Sequence, residues 1–291
     1  MDHPNRIPRT AHAPDPERIE AARELIASCD RILVGAGAGL STAAGLSYSG
    51  ERFQRNFQPF IRRYGMTDMY SAGFYPFPTE EDRWAYWARH VWVNRHEPPA
   101  LPLYVQLREA LRDKDCFVIT TNVDAQFEKA GFPRERLFAT QGDYGLNQCA
   151  RGCHDTLYPN RQLAEKMLAS AEGDGTRIPS QLVPRCPVCG GRMNVHLRID
   201  GSFVENADWH AAEERYRAFV AGMREHPTLL LELGVGWNTP VIIRMPFDRL
   251  AVALDAPLVR INYDDARVPK ETAHAVALQG DIAEIWPLIT P

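Results

Sequence analysis

The chain has 291 residues, of which 45% are hydrophobic and 24% charged, with a formal net charge of −4 at pH 7. That suits one large domain or a large domain with a smaller one attached. It excludes a disordered chain and a protein that grips nucleic acid through a bulk basic surface. No apolar run approaches the ~18 residues of a membrane span. Residues 1–16 are polar and proline-broken, so neither a membrane anchor nor a secretory leader is expected, and the expected location is cytoplasmic.

The first predicted helix covers 14–29. Ile19, Ala22, Leu25 and Ile26 share one face, and Asp15 and Glu17 sit at the positive end of its dipole. Arg31-Ile32-Leu33-Val34 reads as a buried parallel strand, followed by Gly35-Ala36-Gly37-Ala38-Gly39 and a helix that Ser41 or Thr42 could cap. Residues 51–114 combine helical spacing with many aromatics, among them Phe53, Phe57, Trp84 and Tyr86. They read as a helical insertion whose last helix, 103–111, follows Pro98-Pro99. A strand over 116–120 ends in Thr121-Asn122-Val123-Asp124 and leads to a helix over 125–130. A short strand, 137–139, ends at Gln141-Gly142-Asp143. After a cysteine-bearing stretch with a charged helix over 161–172, the alternation resumes. It comprises a helix over 209–224, a strand over 228–233 closing on Gly234-Val235-Gly236, a partly helical 241–250, a strand over 258–261 closing on Asn262, and a helix over 281–288. The expected fold is α/β: a Rossmann-like parallel sheet with helices on both faces, formed by 17–50, 115–147 and 205–291. A small domain made of the helical insertion 51–114 and a zinc ribbon, 148–204, is added to it, behind a tail of residues 1–16.

Three features carry chemistry. Glycines after the first strand let backbone N–H groups approach a phosphate, though the same loop also reads as a plain tight turn. The usual dinucleotide fingerprint fails here. Leu40 takes its third glycine position, and an aromatic helical segment stands where a ribose-binding acid belongs about twenty residues on. The second feature is Cys149, Cys153, Cys186 and Cys189, two close pairs separated by 32 residues. Four thiolates can close a tetrahedral structural Zn²⁺ site with no open position for a catalytic water. Two disulfides or unrelated thiols are the alternative, and His154 reads as a bystander. Cys29 and Cys116 stand alone, and burial is expected for both. The third feature is a set of polar strand ends, Asn122, Asp124, Gln141, Asp143, Asn238, Thr239 and Asn262, where open parallel sheets bind ligands. Singly, such residues are most often turn residues.

Together these segments resemble the sirtuins, NAD-dependent deacylases and ADP-ribosyltransferases. Gly35-Ala36-Gly37-Ala38-Gly39-Leu40-Ser41 with Gly45 is similar to the family's glycine loop, and Thr120-Thr121-Asn122-Val123-Asp124 to its T-Q-N-I-D segment. The cysteine pairs fall where its zinc module falls. Gly234-Val235-Gly236, Ile261-Asn262 and Gln279-Gly280-Asp281 resemble its later cofactor segments. The resemblance covers roughly residues 20–290 and implies NAD as co-substrate. The implied cofactor contacts are Gly35, Ala36, Gly37, Ser41, Gly45, Asn122, Asp124, Gln141, Gly234, Val235, Gly236, Asn238, Asn262 and Asp281.

The departures narrow the reading. Where the family continues I-P-D-F-R, this chain has Leu46-Ser47-Tyr48-Ser49-Gly50, and Tyr48 or Phe53 could supply the aromatic cover. Where the family has its catalytic histidine, this chain has Gln141. A Gln there, with Gly50-Glu51-Arg52-Phe53 and the turn from Gly234 to Pro240, looks like the macrodomain-linked class M sirtuins. That resemblance implies protein ADP-ribosylation, with a lipoyl carrier of the glycine-cleavage H type as acceptor and a macrodomain hydrolase that reverses the mark. Gln141 cannot take a proton at any useful pH, and loss of such a base costs typically about 10²–10⁴-fold in deacylation. Cleavage of nicotinamide from ribose is favoured by holding NAD strained and by polar groups near the developing oxocarbenium ion, and Asn122 and Gln141 can act there by hydrogen bonding. Asp124 would hold the nicotinamide carboxamide. The expected activity is mono-ADP-ribosyl transfer with Asn122, Gln141 and Asp124 as catalytic residues. A weak deacylase, an NAD glycohydrolase and a non-catalytic NAD-binding module are the rival readings.

Overall fold

A computed structural model describes residues 15–290; residues 1–14 of the expected tail lie outside them. In chain order the strands are β1 (Arg31–Ala36), β2 (Asp115–Thr120), β3 (Leu137–Ala139), β4 (Gly142–Cys149), β5 (Tyr158–Pro159), β6 (Met193–Leu197), β7 (Leu229–Leu233), β8 (Leu258–Asn262) and β9 (Ala275–Gln279). The helices are α1 (Pro16–Ser28), α2 (Ala38–Ala43), α3 (Gly50–Tyr64), α4 (Met69–Ala72), α5 (Glu80–Val91), α6 (Pro102–Ala110), α7 (Gln126–Lys129), α8 (Arg161–Ala169), α9 (Ala207–Ala221), α10 (Arg244–Leu254) and α11 (Ile282–Ile289). A π-helical turn, Trp92–His96, extends α5. Among the described residues no helix is long and apolar enough to cross a membrane.

Six strands form one parallel sheet in the order β3-β2-β1-β7-β8-β9. Alternation along each strand divides its side chains between two cores. Ile32, Val34, Val118 and Leu231 pack with α1, α6 and α11 on one face. Leu33, Phe117, Ile119 and Leu230 pack with α9 and α10 on the other. The chain reverses its winding between β1 and β7, and strand ends beside such a switch point open a crevice.

The second unit is built around an antiparallel sheet, β5-β4-β6. Its core joins the aromatic face of α3 and α5 (Phe53, Phe57, Phe60, Tyr86) to Cys149, Cys186, Met193 and Val195. The helical insertion and the cysteine module therefore share one core and form one small domain.

Several elements differ from the sequence reading. The helix expected at the end of the insertion is α6, and its Leu103, Tyr104 and Leu107 pack on the main sheet. Its apolar face fits either core, and only the fold decides between them. The small sheet begins at Gly142, inside the segment expected to belong to the main domain. β9 was not expected, because an edge strand buries too little to show alternation, and only its Leu278 is buried. Ser41 and Thr42 lie within α2, whose N-cap is Gly37 with no side-chain cap bond. Cys29 and Cys116 are half-buried at the rim of the core and not within it.

Phe57 is fully buried and contacts Phe53, Phe60, Tyr86 and His90. Phe57→Ala should destabilise the protein by about 3–5 kcal/mol, read as a lowered denaturation midpoint. An unchanged midpoint would show that the small domain does not depend on this cluster.

Candidate active site

A 480 Å³ cavity lies between the C-terminal ends of the sheet strands and the small domain. Ser41 and Thr42 of α2, Asn122 to Asp124 after β2, Gln141 before β4, and Asn238 and Thr239 after β7 contribute from the main sheet and its connections. Tyr48, Met69, Trp87, His90, Tyr144 and Val195 supply an aromatic and apolar wall. The structure thus brings together Ser41, Asn122, Asp124, Gln141 and Asn238, which lie far apart in sequence.

The strand ends approach closely because β-carbons are missing. A Cβ on Gly37 would stand 2.7 Å from Gly234 O, and one on Gly39 2.7 Å from Gly234 Cα. Gly234 has φ 63° and would place its own Cβ 2.4 Å from Leu40 N. Gly37 N–H donates to Leu233 O (3.0 Å) and Gly39 N–H to Gly234 O (2.9 Å). These two amides therefore have backbone acceptors, in contrast to the expected cradle of free phosphate donors. Gly35 lies within β1, where Ile243 and Phe247 occupy the space beside its Cα. Ala36 is a buried strand residue. Gly45 turns the chain out of α2 with φ 101°.

Behind the cavity runs a directed hydrogen-bond chain. Asn122 Nδ2 donates to Gly37 O (3.0 Å) and to Tyr104 Oη (3.3 Å). Ser41 Oγ donates to Asp124 Oδ2 (2.5 Å), so the 2.9 Å contact between Tyr104 and Ser41 has the tyrosine as donor. Gln126 N–H donates to Asp124 Oδ1 (3.0 Å). Both amide hydrogens of Asn122 are engaged, so its carbonyl oxygen is the group left for a ligand. Both Asp124 oxygens accept, while burial raises its pKa above the ordinary carboxylate range. Tyr104 escaped the sequence reading. Its signal is a lone hydroxyl on the apolar face of α6.

Gln141 is half-buried in the cavity wall, and its backbone carbonyl accepts from the backbone N–H of Arg198 (3.0 Å). His90 is the histidine in that wall. Tyr86 Oη donates to Met69 O (2.7 Å), so His90 Nδ1 must donate to Tyr86 Oη (3.1 Å). Burial brings the His90 pKa down to about 3, too low for a general base at neutral pH. Tyr48 lines the cavity and bonds to the hydroxyl of Tyr144, whereas Phe53 is buried against Phe57. Of the two candidates, Tyr48 is therefore the one that faces the site.

The remaining expected contacts lie in the turns at the rim and in the frame behind it. Asn262 donates to Val235 O (2.8 Å) and accepts from the amides of Asp264 and Asp265, fixing the turn after β8 to that after β7. Val235 is buried, while Gly236 and Asn238 are exposed. Asp281 caps α11. A buried ion pair of Glu232 on β7 with Arg260 on β8 (2.7 Å) was also missed. Its signal is one charge within each apolar strand.

The four cysteine sulfurs of the small domain lie within 4.8 Å of one another. Cys149 and Cys189 are 3.7 Å apart and Cys153 and Cys186 3.6 Å. That excludes disulfides, which need about 2.05 Å. It fits the S···S edge of about 3.8 Å that Zn–S bonds of ~2.3 Å impose on a tetrahedron. His154 Nδ1 lies 3.1 Å from Cys153 Sγ and Nε2 2.8 Å from Tyr158 Oη, beside the four thiols.

This layout is a sirtuin layout. Solved structures that match over most of the chain include a Sir2 homologue in complex with NAD (TM-score 0.57, 17% identity, 93% of this chain and 92% of that one). Another comes from work on sirtuin substrate affinity (TM-score 0.57, 18% identity, 91% and 95%). No family model matches. A protein ADP-ribosyltransferase of Staphylococcus aureus is 35% identical over 235 residues, covering 80% of this chain and 74% of the relative. A Fusarium oxysporum protein described as a probable bifunctional ADP-ribose hydrolase/ADP-ribosyltransferase is 36% identical over 93% of this chain, which spans 47% of it. Human NAD-dependent protein lipoamidase sirtuin-4 is 26% identical over 95% of this chain and 87% of its own length. The chain belongs to the sirtuin family, within its branch of NAD-dependent protein ADP-ribosyltransferases.

Because burial raises the Asp124 pKa, the folded form binds a proton more readily than the unfolded chain. The stability tied to this group is greatest below about 3.9, its unfolded value, and is lost as pH rises through the folded value. Asp124→Asn removes that loss. In urea unfolding, its stability relative to the wild type should rise between pH 4 and pH 7. A constant difference would mean that Asp124 titrates like an exposed carboxyl.

Proposed function

We propose that the protein transfers a single ADP-ribose from NAD to an acceptor protein, with Asn122, Gln141 and Asp124 acting on the nicotinamide riboside. The observation that carries this reading is Gln141 in the cavity wall beside Asn122 and Asp124, with the nearby histidine held neutral. Asp124 accepts from the nicotinamide carboxamide. The Asn122 carbonyl oxygen faces the developing positive charge at the ribose, and Gln141 hydrogen-bonds its hydroxyls. The bond from C1′ to the pyridine nitrogen breaks and nicotinamide leaves with the bonding pair. An acceptor nucleophile then bonds to C1′ and passes its proton to solvent water. Gly35, Ala36, Gly37, Ser41, Gly45, Gly234, Val235, Gly236, Asn238, Asn262 and Asp281 form or support the NAD-binding surface.

A lipoylated carrier of the glycine-cleavage H type is the acceptor this reading favours. Met69, Phe74, Trp87, Leu197 and Ile199 line the cavity, which suits an apolar arm, and the human relative is a lipoamidase. The Fusarium relative's two activities support a companion macrodomain hydrolase that removes the mark. The cluster of Cys149, Cys153, Cys186 and Cys189 holds structural Zn²⁺ within the small-domain core.

Labelled NAD should place label on a lipoylated carrier, and Asn122→Ala should slow the transfer by about 10²-fold. Strong deacylation with no labelled protein would overturn the transfer reading, and undiminished transfer would remove Asn122 from it. Elemental analysis should find one zinc per chain. Stripping it should withdraw on the order of 10 kcal/mol from the small domain, read as loss of its aromatic near-ultraviolet dichroism. A metal-free preparation with full dichroism would exclude a structural ion.

A further inference from the structure

The π-helical turn at Trp92–His96 closes with Glu97 N–H on Trp92 O (2.9 Å). Such turns insert one extra residue into a helix and are frequent at functional sites. Here the turn aims three consecutive polar side chains at three segments. Asn94 accepts from Arg52 Nη1 (2.8 Å), and the same nitrogen donates to Ser47 O (3.0 Å) in the loop beside Tyr48. His96 Nε2 contacts Asn160 Oδ1 (2.8 Å), and Asn160 donates to Tyr144 O and Asn147 Oδ1 of β4. Between them, Arg95 forks onto Asp143, with Nε to Oδ1 at 2.8 Å and Nη2 to Oδ2 at 3.2 Å.

Asp143 is two residues from Gln141. The intervening Gly142 has φ 103° and would bring a Cβ to 2.2 Å from His196 O, so this stretch has little freedom on that side. Asp143 Oδ1 also accepts from Gly145 N–H (2.6 Å), and a Cβ on Gly145 would stand 3.2 Å from Arg95 Nε. Tyr144 N–H donates to Val123 O (2.9 Å), tying the stretch to the segment that carries Asn122 and Asp124. Arg95 and Asp143 stand in a second hollow of about 950 Å³, which also reaches Asn122 and Asp124. The pair therefore lies behind the partition whose other side bears Gln141.

We propose that Arg95 and Asp143 are a positioning pair for Gln141. The planar guanidinium fork holds Asp143, and with it the turn that sets where the Gln141 carboxamide meets the ribose. The inference rests on the role assigned to Gln141 above. A displacement of 1 Å in a catalytic group can cost about 10²-fold in rate, and a fork constrains orientation as a single ammonium donor cannot.

Four variants test it: Arg95→Met, Arg95→Lys, Asp143→Asn, and Arg95→Met with Asp143→Asn. Turnover is read as nicotinamide release and as labelled acceptor, and NAD affinity by direct binding. Arg95→Met and Asp143→Asn should each lower kcat by about 10²-fold, with NAD Kd changed by less than about two-fold. The double variant should be no slower than the slower single one, and Arg95→Lys should recover part of kcat. Losses that multiply in the double variant, or a Kd that rises as kcat falls, would overturn the proposal. If wild type releases nicotinamide without labelling an acceptor, the transfer reading fails but the positioning test still reads on nicotinamide. Hydrogen exchange over residues 139–146 needs no turnover. It should quicken in Arg95→Met while β1 and β7 stay protected, and unchanged exchange would equally overturn the idea.

Discussion

The cavity has its shape because two backbone turns touch with no β-carbon between them. Gly37 and Gly39 lie against Gly234, and the amides of the first two donate into the carbonyls of Leu233 and Gly234. Any side chain at these positions would force the turns after β1 and β7 apart. Between those turns, Asn122 reaches Gly37 O, and Tyr104 and Ser41 continue the bonding to Asp124. Every side-chain donor in this buried chain has an acceptor, which keeps the desolvation cost low enough for these groups to remain buried.

The small domain is fastened to this floor by a backbone hydrogen bond and by aromatic packing. Val123 packs in the aromatic core, and its carbonyl accepts from Tyr144 in β4. The π turn delivers Asn94, Arg95 and His96 to three neighbouring segments, because its wider winding fans consecutive side chains differently from an α-helix. The cysteine cluster closes the same core from the far side. Its four sulfurs leave no coordination position open, so a bound ion would serve architecture and not catalysis.

On the transfer reading, Gln141 in place of a catalytic histidine changes the chemistry open to the site while its other polar groups stay in place. A carboxamide orients hydroxyls but takes no proton, and the histidine in the wall is too desolvated to substitute. On the transfer reading, the cavity keeps groups suited to the departure of nicotinamide, and neither Gln141 nor His90 serves as a base at neutral pH.

Short-range pattern was legible in the sequence. Buried strands β1, β2, β7 and β8 appear as apolar runs, the cysteine pairs as a tetrahedral ligand set, and Thr121-Asn122-Val123-Asp124 as a polar strand end. Whether Tyr48 or Phe53 faces the cavity stayed open, since both are aromatic and near the same loop. Burial of Phe53 against Phe57 decides it. The attachment of α6 to the main sheet, the edge strand β9, the link through Tyr104 and the fork from Arg95 were not legible. Each depends on a partner distant in the chain: Tyr104 on Ser41 and Asn122, Arg95 on Asp143. A single apolar face or a single arginine carries no address for such a partner. Residue type sets proton affinity, ligand hardness and backbone freedom, so the available chemistry can be read along the chain. Which of those groups meet depends on strand order and loop contacts between distant segments, so it emerges with the fold.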